Sequence, residues 1–336
     1  MIEKPAIPDD LIVARLRDGY GLSVTQVTFL PLGFDLKSAV YRVEEVNGTP
    51  YFLKLRGGVF DETTVTLPKF LNAQGITQVM ASIPTITGQL WISLGDMTMI
   101  LYPFIKSHNG FEVDLSEHQW IELGMALKGI HTIGLPPEFL RQIQPETYSP
   151  HWRETVMRYL VNIGNIVYDD SVAIKLATFL KSKHAEIQHI ITGAEKLAAE
   201  LKKRPLEFVL CHTDIHGGNV MIGENGDLFI VDWDNPLMAP KERDLMFVTG
   251  GVGGIWYKSE AETLFYQGYG RTEIDPVALA YYRYERIVQD AAEFCKHIFE
   301  TTRSVEDREQ GLQFFIDSFL PDNAVDMANK SGQYRC

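Results

Sequence analysis

The sequence predicts a two-lobed α+β fold, a small antiparallel-sheet N-terminal lobe followed by a larger, mainly helical C-terminal lobe. Three observations predict it. A chain of 336 residues exceeds what one hydrophobic core usually fills. Up to Leu101 the apolar residues fall in short β-branched and aromatic runs. After Tyr102-Pro103 they recur at helical spacing instead. The expected division is therefore 1–102 and 103–336.

In the first part, an amphipathic segment from Asp10 to Tyr20 precedes the strands Val24–Leu30 and Ala39–Val43, which Pro31 and Gly33 separate. Asn47-Gly48 then predicts a hairpin into Tyr51–Leu55. A helical pattern follows from about Glu62 to Ala73 and stops at Gly75. Trp91–Leu94 and Thr98–Leu101 read as two more strands around a Gly95-Asp96 turn. In the second part, residues 116–131 and 151–204 carry helical periodicity, with Trp120, Leu123, Leu127 and Ile130 on one face. Short apolar runs at Phe208–Leu210, Val220–Ile222 and Leu228–Val231 interrupt this texture and flank polar loops, and helices resume from Ala261.

Composition is that of an ordinary globular protein, 45% hydrophobic and 22% charged. With 44 acidic against 31 basic residues the net charge is −13, which disfavours nucleic acid and anionic lipid and favours cationic ligands. Cys211, Cys295 and Cys336 have no metal-ligand spacing and suit a reduced compartment. The opening MIEKPAIPDD lacks the basic flank and apolar run of a signal peptide, and no apolar stretch approaches the roughly 18 residues of a membrane span. A cytoplasmic protein is expected.

The chemistry concentrates in Cys211-His212-Thr213-Asp214-Ile215-His216-Gly217-Gly218-Asn219-Val220. A carboxylate and an amide stand five positions apart in a glycine-containing loop, and thirteen residues after Asn219 a second carboxylate, Asp232, ends an apolar strand. Phosphoryl transfer uses such a set: one carboxylate accepts the proton of the attacking hydroxyl, and an oxygen ligand with a second carboxylate holds magnesium against the nucleotide phosphates. Two other readings stand beside it. Asp and Asn in glycine-rich loops cap turns, and His212-x-Asp214-x-His216 has the composition of a zinc site, although no further His or Cys cluster completes it.

This segment, with Ile230-Val231-Asp232-Trp233-Asp234, resembles the signature of the aminoglycoside phosphotransferase family, relatives of the protein kinases that also include choline and homoserine kinase-like enzymes. Tyr148–Glu154, Ala239–Phe247, Gly250–Trp256 and Tyr281–Val288 resemble members of that family acting on a small cationic antibiotic. These matches run from about the hinge to the last helices and are weaker in the first lobe. The family often carries Gly where this chain has Thr213.

The resemblance implies a bilobal protein-kinase-like fold, ATP and Mg²⁺ as cofactors, Asp214 as catalytic base, and Asn219 and Asp232 as magnesium ligands. It implies Lys54 on the ATP phosphates, paired with Glu62, with Asp61 as rival. Backbone amides and Ser38 in the loop from Leu32 to Ser38 would cradle phosphate, although only one glycine is present there. Pro103 has no N–H, so the expected adenine contacts are the Tyr102 carbonyl and the Phe104 amide. The acceptor is expected to be a small cationic hydroxylated molecule. Asp234, Glu285 and Asp290 are the candidate carboxylates for it, with ion pairs to Arg283 or Arg286 as the plainer reading of the last two. Arg243-Asp244 is expected to form an internal ion pair, Trp233 to pack as core or line the pocket, and the 250–254 glycines to make a tight turn, close helix packing or a lid. Choline, a sugar or another metabolite as acceptor, and a non-catalytic nucleotide-binding module, are the alternatives.

Overall fold

β-branched and aromatic runs become strands because their branched side chains fit a pleated, half-buried surface. The structure, a computed structural model, describes residues 4–32, 38–164, 168, 170–248, 259–301 and 304–333. The expectations for the 33–37 loop and the 250–254 glycines therefore lie outside the described residues. By contacts the chain divides into two units, one of 1–113, 135–142 and 219–235, the other of 114–134, 143–218 and 236–336.

The first unit is built on a five-stranded antiparallel sheet of order β1-β2-β3-β5-β4. Its strands are β1 (Val24–Leu30), β2 (Ser38–Glu45), β3 (Pro50–Gly57), β4 (Ile92–Leu94) and β5 (Met97–Pro103). The Asn47-Gly48 hairpin forms as expected, with Gly48 at φ +84°, a left-handed conformation that costs glycine little. Helix α1 (Asp9–Tyr20) ends at Gly21 in the same conformation and buries Ile12, Leu16 and Tyr20 against Tyr41, Val43, Leu53, Leu55 and Leu101. Alternation along β3 sends Leu53 and Leu55 into that core and leaves Lys54 and Arg56 on the opposite face.

A second sheet of the same unit pairs β6 (Ser107–Asn109), β8 (Val220–Gly223) and β9 (Leu228–Ile230). Helix α2 (Thr63–Ala73) leads into residues 78–80, whose backbone brackets Ile230: Ile230 N–H donates to the Gln78 carbonyl and Met80 N–H to the Ile230 carbonyl. The exit from β9 is thereby held in place two residues before Asp232.

The second unit is mainly helical. Helix α3 (Glu117–Thr132) starts at a capping box, in which Ser116 accepts from Gln119 N–H while the Gln119 side chain accepts from Ser116 N–H. The helical periodicity of 151–204 resolves into α5 (His151–Asn162), α6 (Ser171–Ser182) and α7 (His184–Leu201), while α4 (Pro137–Gln142) belongs to the first unit. Strands β7 (Val209–Cys211) and β10 (Leu237–Ala239) pair antiparallel. They precede α8 (Glu242–Val248), α9 (Ser259–Tyr269), α10 (Pro276–Phe299), α11 (Val305–Asp317) and α12 (Ala324–Gln333). α10 packs against α5, α7, α8, α11 and α12. Apolar residues on most of its circumference, from Val277 to Ile298, make it the central helix of this unit. No helix among the described residues is long and apolar enough to cross a membrane.

Candidate active site

In the first unit the chemistry gathers around β3 and the end of the β8–β9 pair. Lys54 Nζ lies 3.0 Å from Asp232 Oδ1 and 3.3 Å from Asp234 Oδ2, and Arg56 Nη1 lies 2.7 Å from Asp234 Oδ1. Burial alone would lower the Lys54 pKa, but the two carboxylates outweigh it and hold the ammonium charged. Burial, with Asp232 close by, raises Asp234 against the pull of Lys54 and Arg56. Asp232 itself stands at φ +66°, a conformation uncommon for a residue with a side chain and typical of sites where neighbouring structure imposes it.

Asn219 and Asp232 share one end of the β8–β9 ladder. Val220 pairs with Ile230, and Val231 N–H donates to the Asn219 carbonyl at 3.0 Å. An amide oxygen and a carboxylate are hard donors of the kind Mg²⁺ takes, so this pair fits that ion.

Lys54 pairs with these aspartates and not with Glu62 or Asp61. Glu62 instead stands at the N-cap of α2, where its carbonyl accepts from Thr66, and Asp61 Oδ1 accepts the Thr63 N–H at 2.9 Å. Ser38 opens β2 opposite Arg56. Tyr102 lies in β5 opposite Phe52, and the Phe104 ring lies under the Arg42 guanidinium at 4.9 Å. Trp233 is 3% exposed, which settles it as core.

In the second unit, the loop after β7 is anchored from below by one carboxylate. Asp244, fully buried on α8, accepts the N–H of His212 at 2.8 Å and of Thr213 at 2.7 Å. His131 Nε2 lies 3.1 Å from the same carboxylate, and His131 Nδ1 lies 2.7 Å from the Tyr269 hydroxyl. Burial would raise the Asp244 pKa, but these partners bring it below the usual carboxylate range. The Arg243–Asp244 ion pair expected from the sequence does not form. Successive helical side chains point about 100° apart, and the Arg243 guanidinium lies over the Tyr282 ring at 5.6 Å.

Anchoring matters because Thr213 adopts φ +74°. A β-branched residue there costs about 1–3 kcal/mol, and the two hydrogen bonds donated to Asp244 hold the turn against it. Glycine would adopt that conformation without this cost. His212 Nδ1 accepts the Asp214 N–H at 3.3 Å and His216 Nδ1 accepts the Gly218 N–H at 3.0 Å. Both imidazoles thus steady the loop through its amides, with one ring nitrogen each committed away from metal binding. His131, Cys211 and Asp244 also approach one another closely enough to suggest an ion. Burial keeps the Cys211 thiol protonated, however, and its Sγ donates to the Ala239 and Pro240 carbonyls.

Asp214 has two partners on Oδ1, the Arg286 guanidinium through Nη1 at 2.5 Å and the His216 ring through Nε2 at 3.4 Å. Burial would raise its pKa, and Arg286 with His216 instead holds it far below the usual carboxylate range. Arg286 Nε also lies 2.8 Å from Asp290 Oδ1, the ion pair that i,i+4 spacing suggests. Burial pushes Asp290 up to about 6 against that guanidinium. Glu285 is committed elsewhere. It pairs in the core with Arg153, which also donates to the Tyr148 and Ser149 carbonyls, and burial pushes Glu285 up to about 7. Five positions on a helix turn a side chain by about 140°, so Glu285 and Asp290 serve different faces of α10. Sequence reasoning missed Arg56, His131 and the link from Arg286 to Asp214; of these only the i,i+2 spacing of Lys54 and Arg56 was a usable signal.

No curated protein sequence matches the chain. The family model described as phosphotransferase enzyme family (APH) matches residues 28–282. A solved structure of spectinomycin phosphotransferase APH(9)-Ia, in complex with ADP and spectinomycin, is 34% identical over 98% of this chain and 100% of its own, with a TM-score of 0.91. An AMP-bound structure of the same enzyme is 34% identical over 95% of this chain and 98% of its own, with a TM-score of 0.86. Amicoumacin kinase hAmiN, with AMP-PNP and Ca²⁺, shares the fold alone at 16% identity over 96% and 97% of the two chains, with a TM-score of 0.60. The five-stranded antiparallel sheet and the mainly helical second part are those of the protein-kinase-like fold. On these grounds the chain belongs to the phosphotransferase enzyme family, and it is an ATP-dependent small-molecule kinase that transfers phosphate to a hydroxyl.

Proposed function

We propose that the acceptor is spectinomycin, that its phosphorylation in the cytoplasm confers resistance, and that Asp214 is the catalytic base. The observation that carries this reading is similarity along the whole chain, 34% identity over 98% of it, to an enzyme solved with that antibiotic. The chemistry agrees. Spectinomycin carries amines that are protonated near neutral pH, and a chain of net charge −13 attracts cations.

In this reading residues 1–102 bind the nucleotide and 103–336 carry catalysis and the acceptor. Lys54 fixes the nucleotide phosphates, and the ammonium it presents is already charged and oriented by Asp232 and Asp234. Ser38, Glu62, the Tyr102 carbonyl and the Phe104 amide complete the nucleotide side. Asn219 and Asp232 would hold magnesium, which when bound would supply positive charge beside the phosphates. Asp214 accepts a hydrogen bond from the acceptor hydroxyl, orients it for in-line attack and takes its proton as the bond to the γ-phosphorus forms and the bond from that phosphorus to the bridging oxygen breaks, releasing ADP. Asp234 is the carboxylate proposed to favour a cationic acceptor; Asp290 acts at one remove through Arg286, and Glu285 is taken up by Arg153 in the core.

Mass spectrometry of spectinomycin incubated with the protein, Mg²⁺ and ATP tests this directly, beside aminoglycosides, choline and sugars. The expected result is one added phosphoryl group on spectinomycin. ATP consumption with choline or a sugar and none with spectinomycin would replace the substrate assignment and leave the family intact.

A further inference from the structure

The contact between Arg286 and Asp214 joins residues 72 positions apart. Arg286 lies in the middle of α10, its side chain 12% exposed, with the guanidinium over the Phe247 ring at 5.4 Å. Its Nη1 donates to Asp214 Oδ1 at 2.5 Å, and its Nε lies 2.8 Å from Asp290 Oδ1 in an ion pair. A planar guanidinium with fixed donors and a ring against its face has little freedom, so it can impose an orientation on the carboxylate it holds. His216 Nε2 lies 3.4 Å from the same Oδ1.

We propose that Arg286 is a positioning residue for phosphoryl transfer: it pins Asp214 through Oδ1 and sets the direction in which the carboxylate meets the acceptor hydroxyl, with Asp290 holding Arg286 in turn. The inference rests on Asp214 being the residue that receives that hydroxyl. It assigns Asp290 a task one step removed from the substrate. It also explains how a base under so strong a cationic influence can serve. In phosphoryl transfer through a loose transition state, orientation of the nucleophile contributes more than proton affinity. Arg286, Asp290 and, further along α10, Glu293 are the charged groups acting on this cluster, with the titratable His216 ring beside them.

The test is steady-state kinetics on Arg286→Gln, Arg286→Lys, Asp290→Asn, Asp214→Asn and the double variant Asp214→Asn/Arg286→Gln. The acceptor is whichever one the wild type phosphorylates, with nucleotide affinity and thermal midpoint measured in parallel. Arg286→Gln should lower kcat by about 30-fold or more, with the ATP dissociation constant changed by less than about threefold. Arg286→Lys keeps the charge without the planar fork and should recover part of the loss, and Asp290→Asn should show a smaller loss in kcat. The double variant should be no slower than Asp214→Asn alone, because groups acting as a unit are not additive. Normal kcat in Arg286→Gln, or losses that add in the double variant, would overturn the proposal. Weakened nucleotide binding together with a lowered midpoint in both Arg286 variants would overturn it too, by making the residue structural. If instead Asp214→Asn retained full turnover, the assignment of Asp214 would fail, a result distinct from the other three.

Discussion

Thr213 and Asp244 show how a strained residue and a buried charge depend on one another. The positive φ at Thr213 persists because Asp244 bonds two successive N–H groups beneath it, and Asp244 stays ionised because those groups and His131 surround it. Asp244→Ala leaves two buried amides and an imidazole without their acceptor, at a cost of about 3–5 kcal/mol, visible as a large fall in the unfolding midpoint. Thr213→Gly removes the strain but frees the unfolded chain, so stability should stay within about 1 kcal/mol and turnover should persist. Asp214→Asn keeps the shape and removes the anionic acceptor. Turnover should fall by about 10² or more while nucleotide binding survives, as ADP release and nucleotide titration would show; equal loss of both would make Asp214 structural.

Two helices touch closely enough that only glycine fits. Where α3 crosses α9, a Cβ on Gly124 would lie 2.1 Å from the Phe265 carbonyl oxygen, and one on Gly268 would lie 1.9 Å from that of Ile121. Gly268→Ala must push the helices apart and should cost about 1–3 kcal/mol, whereas Gly134→Ala, with nothing within 4 Å, should be tolerated. Chemical denaturation of the two variants separates these outcomes. The crossing also bears on the loop, because His131 near the end of α3 and Tyr269 at the end of α9 meet there above Asp244.

The start of α10 depends on Asp275, whose Oδ1 caps Val277 and Ala278 N–H while Arg204 pairs with both oxygens. Burial would raise the Asp275 pKa, but Arg204 and the cap bring it below the usual value. A folded pKa below the unfolded one means this contribution is present above about pH 4 and lost as pH falls through the folded value. Asp275→Asn should therefore flatten the acid limb of stability against pH, and Asp275→Ala should cost about 1–2 kcal/mol at neutral pH.

For the whole molecule, the net charge of −13 makes local compensation the central electrostatic problem of an ATP enzyme. β3 answers it by placing Lys54 and Arg56 on one face, each oriented by an aspartate that follows β9. Since nucleotide binds the native state alone, Mg²⁺ with ATP at about a hundred times its dissociation constant should stabilise the protein by about 2.7 kcal/mol. The increase should shrink with EDTA and in Lys54→Met, as scanning fluorimetry can measure; an undiminished shift in Lys54→Met would remove the lysine from the nucleotide site.

What was legible in the sequence was local. Strand and helix periodicity, the Asn47-Gly48 hairpin and the spacing of Asp214, Asn219 and Asp232 are properties of short stretches, and the backbone has few ways to satisfy them. β6, Ser107–Asn109, holds no apolar residue to mark it as a strand. Tertiary structure alone decided that Arg286 reaches Asp214, that His131 rather than Arg243 serves Asp244, that Asp234 holds two cations, and that Gly124 and Gly268 face a neighbouring helix. Each joins segments distant along the chain, and a shift of one residue on a helix turns a side chain by about 100°. Such contacts follow from how whole elements pack, and no local pattern of residues encodes them.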